Sequence, residues 1–374
     1  MQLRPYIEKS ALTLENTPTR TVSTHTMSAI HQSAPLDLGS SVNIRLLRLE
    51  LDLWPVWLTP IISVRLHVTS LKDAPHYTAV SYVWGEPSPT SNILLNRKVF
   101  SVRQNLWELL SRLRDVHFDG YLWIDALSID QTSDSEKNHQ VAIMGSIYTN
   151  AETTIAWFGT ANEEVAENIR ALNRKLKMAR FNYSGRMANL EVTGFKYILA
   201  HPYWTRTWIL QEYILSPQVE LWCGDEILGS AKLDVVADSW VDTMASLYET
   251  SAQTSALTII IHGAAYGVKR YTLCWLLNLS SDSACLDPRD RIYALLSLMS
   301  PRERDLWDIT PDYAASTQDL FEHLCSVFRD TDKDVGRWVW TFEQWKERLR
   351  RILLLDAVEK DGQDKACISG TDES

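Results

Sequence analysis

The sequence predicts an α/β fold: a largely parallel sheet flanked by helices and followed by a helical C-terminal region. Short runs rich in β-branched and aromatic residues alternate with amphipathic stretches between residues 78 and 158, which is the pattern of βα units. A strong helix-start signal lies between two of those runs, and the apolar residues after Tyr271 recur at helical spacing. With 374 residues, 45% of them hydrophobic, the chain is long enough to bury a large core.

In chain order, Glu15 to Ser41 is dominated by Thr, Ser, Pro and small residues, too little apolar surface to offset backbone ordering, and residues 1–41 are expected to form a flexible leader. Val42 to Glu50 and Ile62 to Thr69 read as a strand pair. Thr78 to Val83 is the first strand of the βα pattern, and Ile93 to Val102 reads as a hairpin turning at Asn96 and Arg97. Tyr121 to Ile124 and Thr153 to Phe158 are further strands. Between them Ser133-x-x-Glu136 matches a capping box, worth about 1 kcal/mol for the cap alone. Val141, Met144 and Tyr148 then fall on one face, which predicts a helix from about Asp134 to Tyr148. Asp287-Pro288 marks another helix start, with Ile292, Leu295, Leu296 and Met299 as its buried side. Leu320 to Phe328 and Phe342 to Leu354 continue the helical half, and the polar residues 359–374 are expected to be a disordered tail.

Composition narrows the function. There are 37 Lys and Arg against 47 Asp and Glu, a formal charge of −10, which argues against a general binder of nucleic-acid backbones. Five cysteines without tight spacing argue against a disulfide scaffold or zinc module, and no metal site is expected. No apolar stretch is long enough to span a bilayer, and the first residues lack the apolar centre of a secretory signal, so a reducing, cytoplasmic location is expected. Phosphate-loop, dinucleotide, zincin and nucleophile-elbow motifs are absent from the sequence.

In an open parallel sheet, ligands sit beyond the carboxyl ends of the strands. Here those positions hold Trp84-Gly85-Glu86, then Asp125 with Asp130-Gln131, then Gly159-Thr160. An aromatic face with nearby carboxylates suits a sugar or nucleotide. The plainer reading is that Asp125 and Asp130 tie down loops or cap helices and that Trp84 is core. A second group is His201-Pro-Tyr-Trp-Thr-Arg-Thr-Trp-Ile-Leu-Gln-Glu212. On a helix beginning near Tyr203, Trp208 and Glu212 are four apart and share a face while Arg206 projects elsewhere. A ring beside a carboxylate can grip an oxocarbenium-like centre; the alternative is a core Trp and a Glu paired with Arg206 or solvent. In Asp287-Pro-Arg-Asp-Arg291, a salt-bridged helix start is favoured over an anion site.

Several segments resemble, in order, the fungal heterokaryon incompatibility (HET) domain: Tyr77-Thr-Ala-Val-Ser-Tyr-Val-Trp-Gly85, Asn105-Leu106, Leu122-Trp-Ile-Asp-Ala-Leu-Ser-Ile-Asp-Gln131, Glu136-Lys137, Ala156-Trp-Phe-Gly159, Arg206-Thr-Trp-Ile-Leu-Gln-Glu212 and Cys223-Gly224. Asp287-Pro-Arg-Asp-Arg-Ile-Tyr-Ala-Leu-Leu296 and Pro311-Asp-Tyr313 look like segments that follow that domain. The resemblance implies a HET domain over 42–225, best matched over 77–224, and a helical associated region over 226–358. It implies a protein of fungal nonself recognition that triggers cell death, acting through self-association and an incompatibility partner. The HET domain is also distantly similar to TIR domains, whose Trp-x-x-x-Glu helix Trp208 and Glu212 match in spacing. That similarity implies Glu212 as a catalytic carboxylate cleaving the nicotinamide–ribose bond of NAD, with Trp84, Gly85, Asp125, Asp130, Gln131, Arg206 and Trp208 binding the substrate and no cofactor beyond the consumed nucleotide. The alternative is a non-catalytic self-associating module. Where the family often has Cys-Ile-Asn-Gln, this chain has Ser128-Ile-Asp130-Gln131, a carboxylate in place of an amide.

Overall fold

The computed structural model describes residues 26–39, 42–50, 61–179, 189–229, 256, 258–260, 271–281, 283–331 and 340–355. The expected tail 359–374 and the first 25 residues lie outside them.

The strands are β1 (Asn43–Leu49), β2 (Ser63–Ser70), β3 (Tyr77–Tyr82), β4 (Thr90–Leu95), β5 (Lys98–Arg103), β6 (Tyr121–Ile124), β7 (Thr153–Trp157), β8 (Val219–Cys223) and β9 (Glu226–Gly229). They form one sheet in the order β5-β4-β2-β1-β6-β3-β7-β8-β9. Its centre, β6-β3-β7-β8, is parallel as expected, while β1/β2, β1/β6, β4/β5 and β8/β9 are antiparallel. The expected hairpin turns at Asn96 and Arg97, both with positive φ. The β8–β9 hairpin, turning at Gly224-Asp225, was not anticipated.

Twelve labelled helices accompany the sheet: α1 (Met27–His31), α2 (Gln104–Asp115), α3 (Asp125–Ser128), α4 (Asp134–Asn150), α5 (Glu163–Ala179), α6 (Asn189–Ala200), α7 (Ile209–Ile214), α8 (Leu273–Leu279), α9 (Asp290–Tyr293), α10 (Pro301–Trp307), α11 (Thr317–Thr331) and α12 (Phe342–Ile352). Strand alternation splits the core in two. Val80 and Tyr82 of β3 face α2 through Leu106, Leu109, Leu110 and Leu113. Tyr77 and Ala79 face the other way, into a larger core built with α4 to α7 and continued by the C-terminal helices.

Three local expectations are corrected. The leader is not flexible to residue 41: Thr26 caps α1, Ile30 and His31 are buried, His31 Nε2 lies 2.8 Å from the Leu127 carbonyl, and Arg45 Nε donates to the Ala34 carbonyl. A few well-placed apolar side chains suffice because they complete a core formed by the rest of the domain. Ser133 does cap α4, accepting from the Glu136 N–H, but Glu136 does not reach back to close the box. Its carboxylate instead takes a two-pronged bond from Arg45 and a 2.6 Å bond from the Asp130 N–H, because the buried guanidinium needs a counter-charge. The helix after Asp287-Pro288 is broken into α9, a turn and a 3-10 stretch over Leu296–Leu298. Ile292, Leu295 and Leu298 recur every third residue and are fully buried, while Leu296 is only partly so, a spacing that suits three residues per turn.

Candidate functional site

The parallel strands run in the spatial order β6-β3-β7-β8, so the chain leaves β3 to one side for β6 and returns past it to β7. That reversal sets the switch point of the sheet between the carboxyl ends of β3 and β7, the usual ligand position in doubly wound sheets. Gly85 follows β3 and Gly159 follows β7, with φ of 73° and 81°, a region that side chains with a Cβ avoid. Asn105 near the start of α2 joins the two loops: its Nδ2 donates to the Val83 carbonyl (2.5 Å) and its Oδ1 accepts from Trp157 Nε1 (2.9 Å).

Next to this switch point lies a polar cluster. By strand alternation Ser81 of β3 shares the face of Tyr77 and Ala79, toward α7, and its hydroxyl donates to Glu212 Oε2. Ser81 Oγ is also 2.9 Å from the Tyr203 hydroxyl. Arg206 forks onto the same carboxylate, Nη1 to Oε2 at 3.1 Å and Nη2 to Oε1 at 3.2 Å. Glu212 is 1% exposed, Arg206 partly so. Burial opposes the guanidinium charge, but the carboxylates of Glu212 and Asp125 outweigh it and raise the Arg206 pKa.

Asp125, partly exposed at the end of β6, completes the cluster. Its Oδ2 accepts from Trp84 Nε1 (2.9 Å) and its Oδ1 from the Ala126 N–H (2.7 Å). Desolvation, then the charge of Glu212, push its pKa up to about 6, against the pull of Arg206 and the two N–H donors. Trp84 is half-buried, with the Arg103 guanidinium 5.4 Å from its ring centre. The cluster therefore grades from a saturated, buried carboxylate to a carboxyl that changes charge near neutral pH at the strand ends, the pattern expected of acid–base chemistry.

Of the sequence-predicted residues, Trp84, Asp125, Arg206 and Glu212 come together, and Gly85 borders the group. Gln131 touches it through its own amide, which donates to the Asp125 carbonyl (3.3 Å). Asp130 is turned away: 6% exposed, its Oδ1 accepts from the Thr132 N–H and hydroxyl, which hold its pKa below the usual range despite burial. It fixes the turn into α4. Trp208 is also directed elsewhere, its Nε1 donating to Asp290 Oδ2 (3.1 Å) in the C-terminal region. Nor is there one helix from Tyr203. Pro202–Thr205 is a 3-10 turn, Arg206 is extended, and α7 starts at Ile209. The break arises because Thr205 and Thr207 exchange backbone bonds with Ala284, and it swings Arg206 back onto Glu212, where a continuous helix would have pointed it away. Ser81, Tyr203 and Asn105 were missed as site residues. Among the described residues no group of His, Cys, Asp and Glu could hold a metal ion, and no helix is long and apolar enough to cross a membrane.

A doubly wound sheet with a polar cluster at its switch point defines a class of small-ligand or signalling α/β domain. Residues 77–212 match the family model described as heterokaryon incompatibility protein (HET). It is 24% identical over 370 residues to heterokaryon incompatibility protein 6, OR allele, of Neurospora crassa, an alignment covering 80% of this chain and 52% of that protein. The chain thus spans about half the length of that curated relative. No solved structure matches it.

Proposed function

We propose that this protein acts in heterokaryon incompatibility and that its HET domain, once triggered, consumes NAD or a related nucleotide to bring about cell death. The observation that supports this most is the placement of the Glu212 carboxylate, with Arg206, Asp125 and Trp84, at the carboxyl ends of parallel strands beside the switch point. In this reading the nicotinamide–ribose C–N bond breaks, nicotinamide leaves with the bonding pair, and Glu212 stabilises the positive charge developing on the sugar. Water adds to the anomeric carbon and gives its proton to Asp125, which is ionised above about pH 6. Arg206 acts as a latch, because its fork must leave Glu212 before the carboxylate can meet a sugar. Triggering through self-association or an incompatibility partner would supply that change.

A second reading has its own observation: Glu212 is buried and its oxygens are already bonded to Arg206 and Ser81, as in an ion pair that only holds α7 against β3. The domain would then signal by assembly alone. Cells expressing wild type, Glu212→Gln and Arg206→Gln separate the two. The catalytic reading expects NAD to fall with wild type and to stay level with Glu212→Gln at equal protein abundance. Cell death persisting in Glu212→Gln with NAD unchanged supports assembly.

A further inference from the structure

We propose a second ligand site, distinct from the Glu212 cluster: an anion pocket in the C-terminal region that takes the phosphates of a nucleotide-sized small molecule. A cavity of about 510 Å³ lies where α12 meets the loop after α8 and the start of α9, lined among others by Arg291, Trp340, Gln344, Glu347, Arg348 and Arg351. That volume falls in the range of small-molecule pockets.

Its charge is unbalanced. Three guanidiniums line it against one carboxylate, and that carboxylate is occupied, since Glu347 Oε1 accepts from both Nη2 (2.8 Å) and Nε (3.1 Å) of Arg351 one helical turn on. Among the described residues Arg348 has a long bond to the Leu277 carbonyl (3.4 Å) and the face of Trp340, 4.7 Å from its guanidinium carbon. The Nε atoms of Arg291 and Arg348 are both buried without a hydrogen-bond partner among the described residues. Native proteins rarely leave buried donors unmet, and burial together with the neighbouring Arg351 lowers the Arg348 pKa. The two arginines come from different elements, α9 and α12, so the charge excess belongs to the concavity and not to one helix face. Planar forked donors from two sides fit phosphoryl oxygens, which accept several bonds at once. The cavity is open to solvent on one side, with the Arg351 and Glu347 side chains largely exposed, and its volume suits a compact ligand.

The test titrates the full chain with inorganic pyrophosphate, ATP and adenosine by calorimetry, with hydrogen exchange read on the same samples. The proposal expects pyrophosphate and ATP to bind and adenosine not to. It expects Arg291→Gln and Arg348→Gln each to weaken binding at least tenfold, Arg291→Lys to weaken it less, and exchange in residues 342–352 to slow in the wild-type complex. The wild-type exchange map stands even if a variant fails to fold. Absence of binding by pyrophosphate and ATP at millimolar concentration, equal binding of adenosine, or protection confined to the strand ends near Asp125 would overturn it.

Discussion

Asp125 sits where burial and the Glu212 charge disfavour its ionised form, and this makes the site pH-dependent. Its folded pKa of about 6 lies above the ordinary carboxylate value of 3.8, so between those limits the folded state binds more protons than the unfolded chain. Stability therefore falls as pH rises through roughly 4 to 6. A shift of about two units sets a ceiling near 3 kcal/mol, and partial solvent screening reduces it to about 1–2 kcal/mol. Asp125→Asn should remove that fall, leaving the variant more stable than wild type at pH 7.5 and equal to it at pH 4. Urea melts at the two pH values measure this; identical pH slopes in the two proteins would exclude a strained Asp125. At Gly85 and Gly159 the positive φ predicts that alanine costs about 1 kcal/mol or more at each, even though neither added Cβ approaches another atom closely, the nearest being Asn105 Cβ at 3.6 Å from Gly85. Thermal unfolding of the two variants checks it.

At the scale of elements, β1 and α4 are tied by the buried Arg45–Glu136 pair, with exposures of 1% and 10% for the two side chains. Removing one partner leaves a buried charge, so Arg45→Met should destabilise by about 3–5 kcal/mol, and pairing it with Glu136→Gln should recover part of that loss. Chemical denaturation of the single and double variants gives the coupling. The same pair explains what the sequence hid. The strands Tyr77–Tyr82, Tyr121–Ile124 and Thr153–Trp157 could be read because each is a short apolar run between polar turns, and α4 because Ser133 precedes a clean apolar face. Glu136 looked like half of a capping box, since nothing local says that a guanidinium 91 residues earlier claims it. The β8–β9 hairpin did leave a signal, Gly224-Asp225 between two short apolar runs. In the site, Glu212, Asp125 and Trp84 were legible as polar or aromatic residues at strand and helix ends. The Arg206 fork was not, because it depends on a helix break imposed by Ala284 from 78 positions away, and neither was Ser81, which meets Glu212 only through sheet and helix packing.

Across the whole molecule, a polar chain centred on Asp290 is one of the links between the C-terminal helices and the sheet domain, beside the Ala284 backbone bonds and the Asn138 side chain, which accepts from the Tyr313 N–H. Trp208 donates to Asp290 Oδ2, Tyr313 donates to Asp290 Oδ1 (2.5 Å), and the Lys137 ammonium sits 3.4 Å from the centre of the Tyr313 ring. Desolvation raises the Asp290 pKa against the effect of those donors. Asp290→Ala strands the buried Tyr313 hydroxyl and the half-buried Trp208 N–H and should cost about 2–3 kcal/mol, with earlier proteolytic release of the region after residue 271. Thermal melts together with limited proteolysis test the link, and an unchanged digestion pattern would show that the C-terminal helices are held without it. This junction gives Trp208 a structural role, and the proposed chemistry falls to the cluster around Glu212. The most direct measurement of that chemistry is nicotinamide release from NAD by the purified full chain at high concentration, wild type beside Glu212→Gln with matched melting curves. Glu212 as the catalytic carboxylate predicts release by wild type and loss of at least a hundredfold in the variant; equal release by a folded Glu212→Gln protein would contradict it.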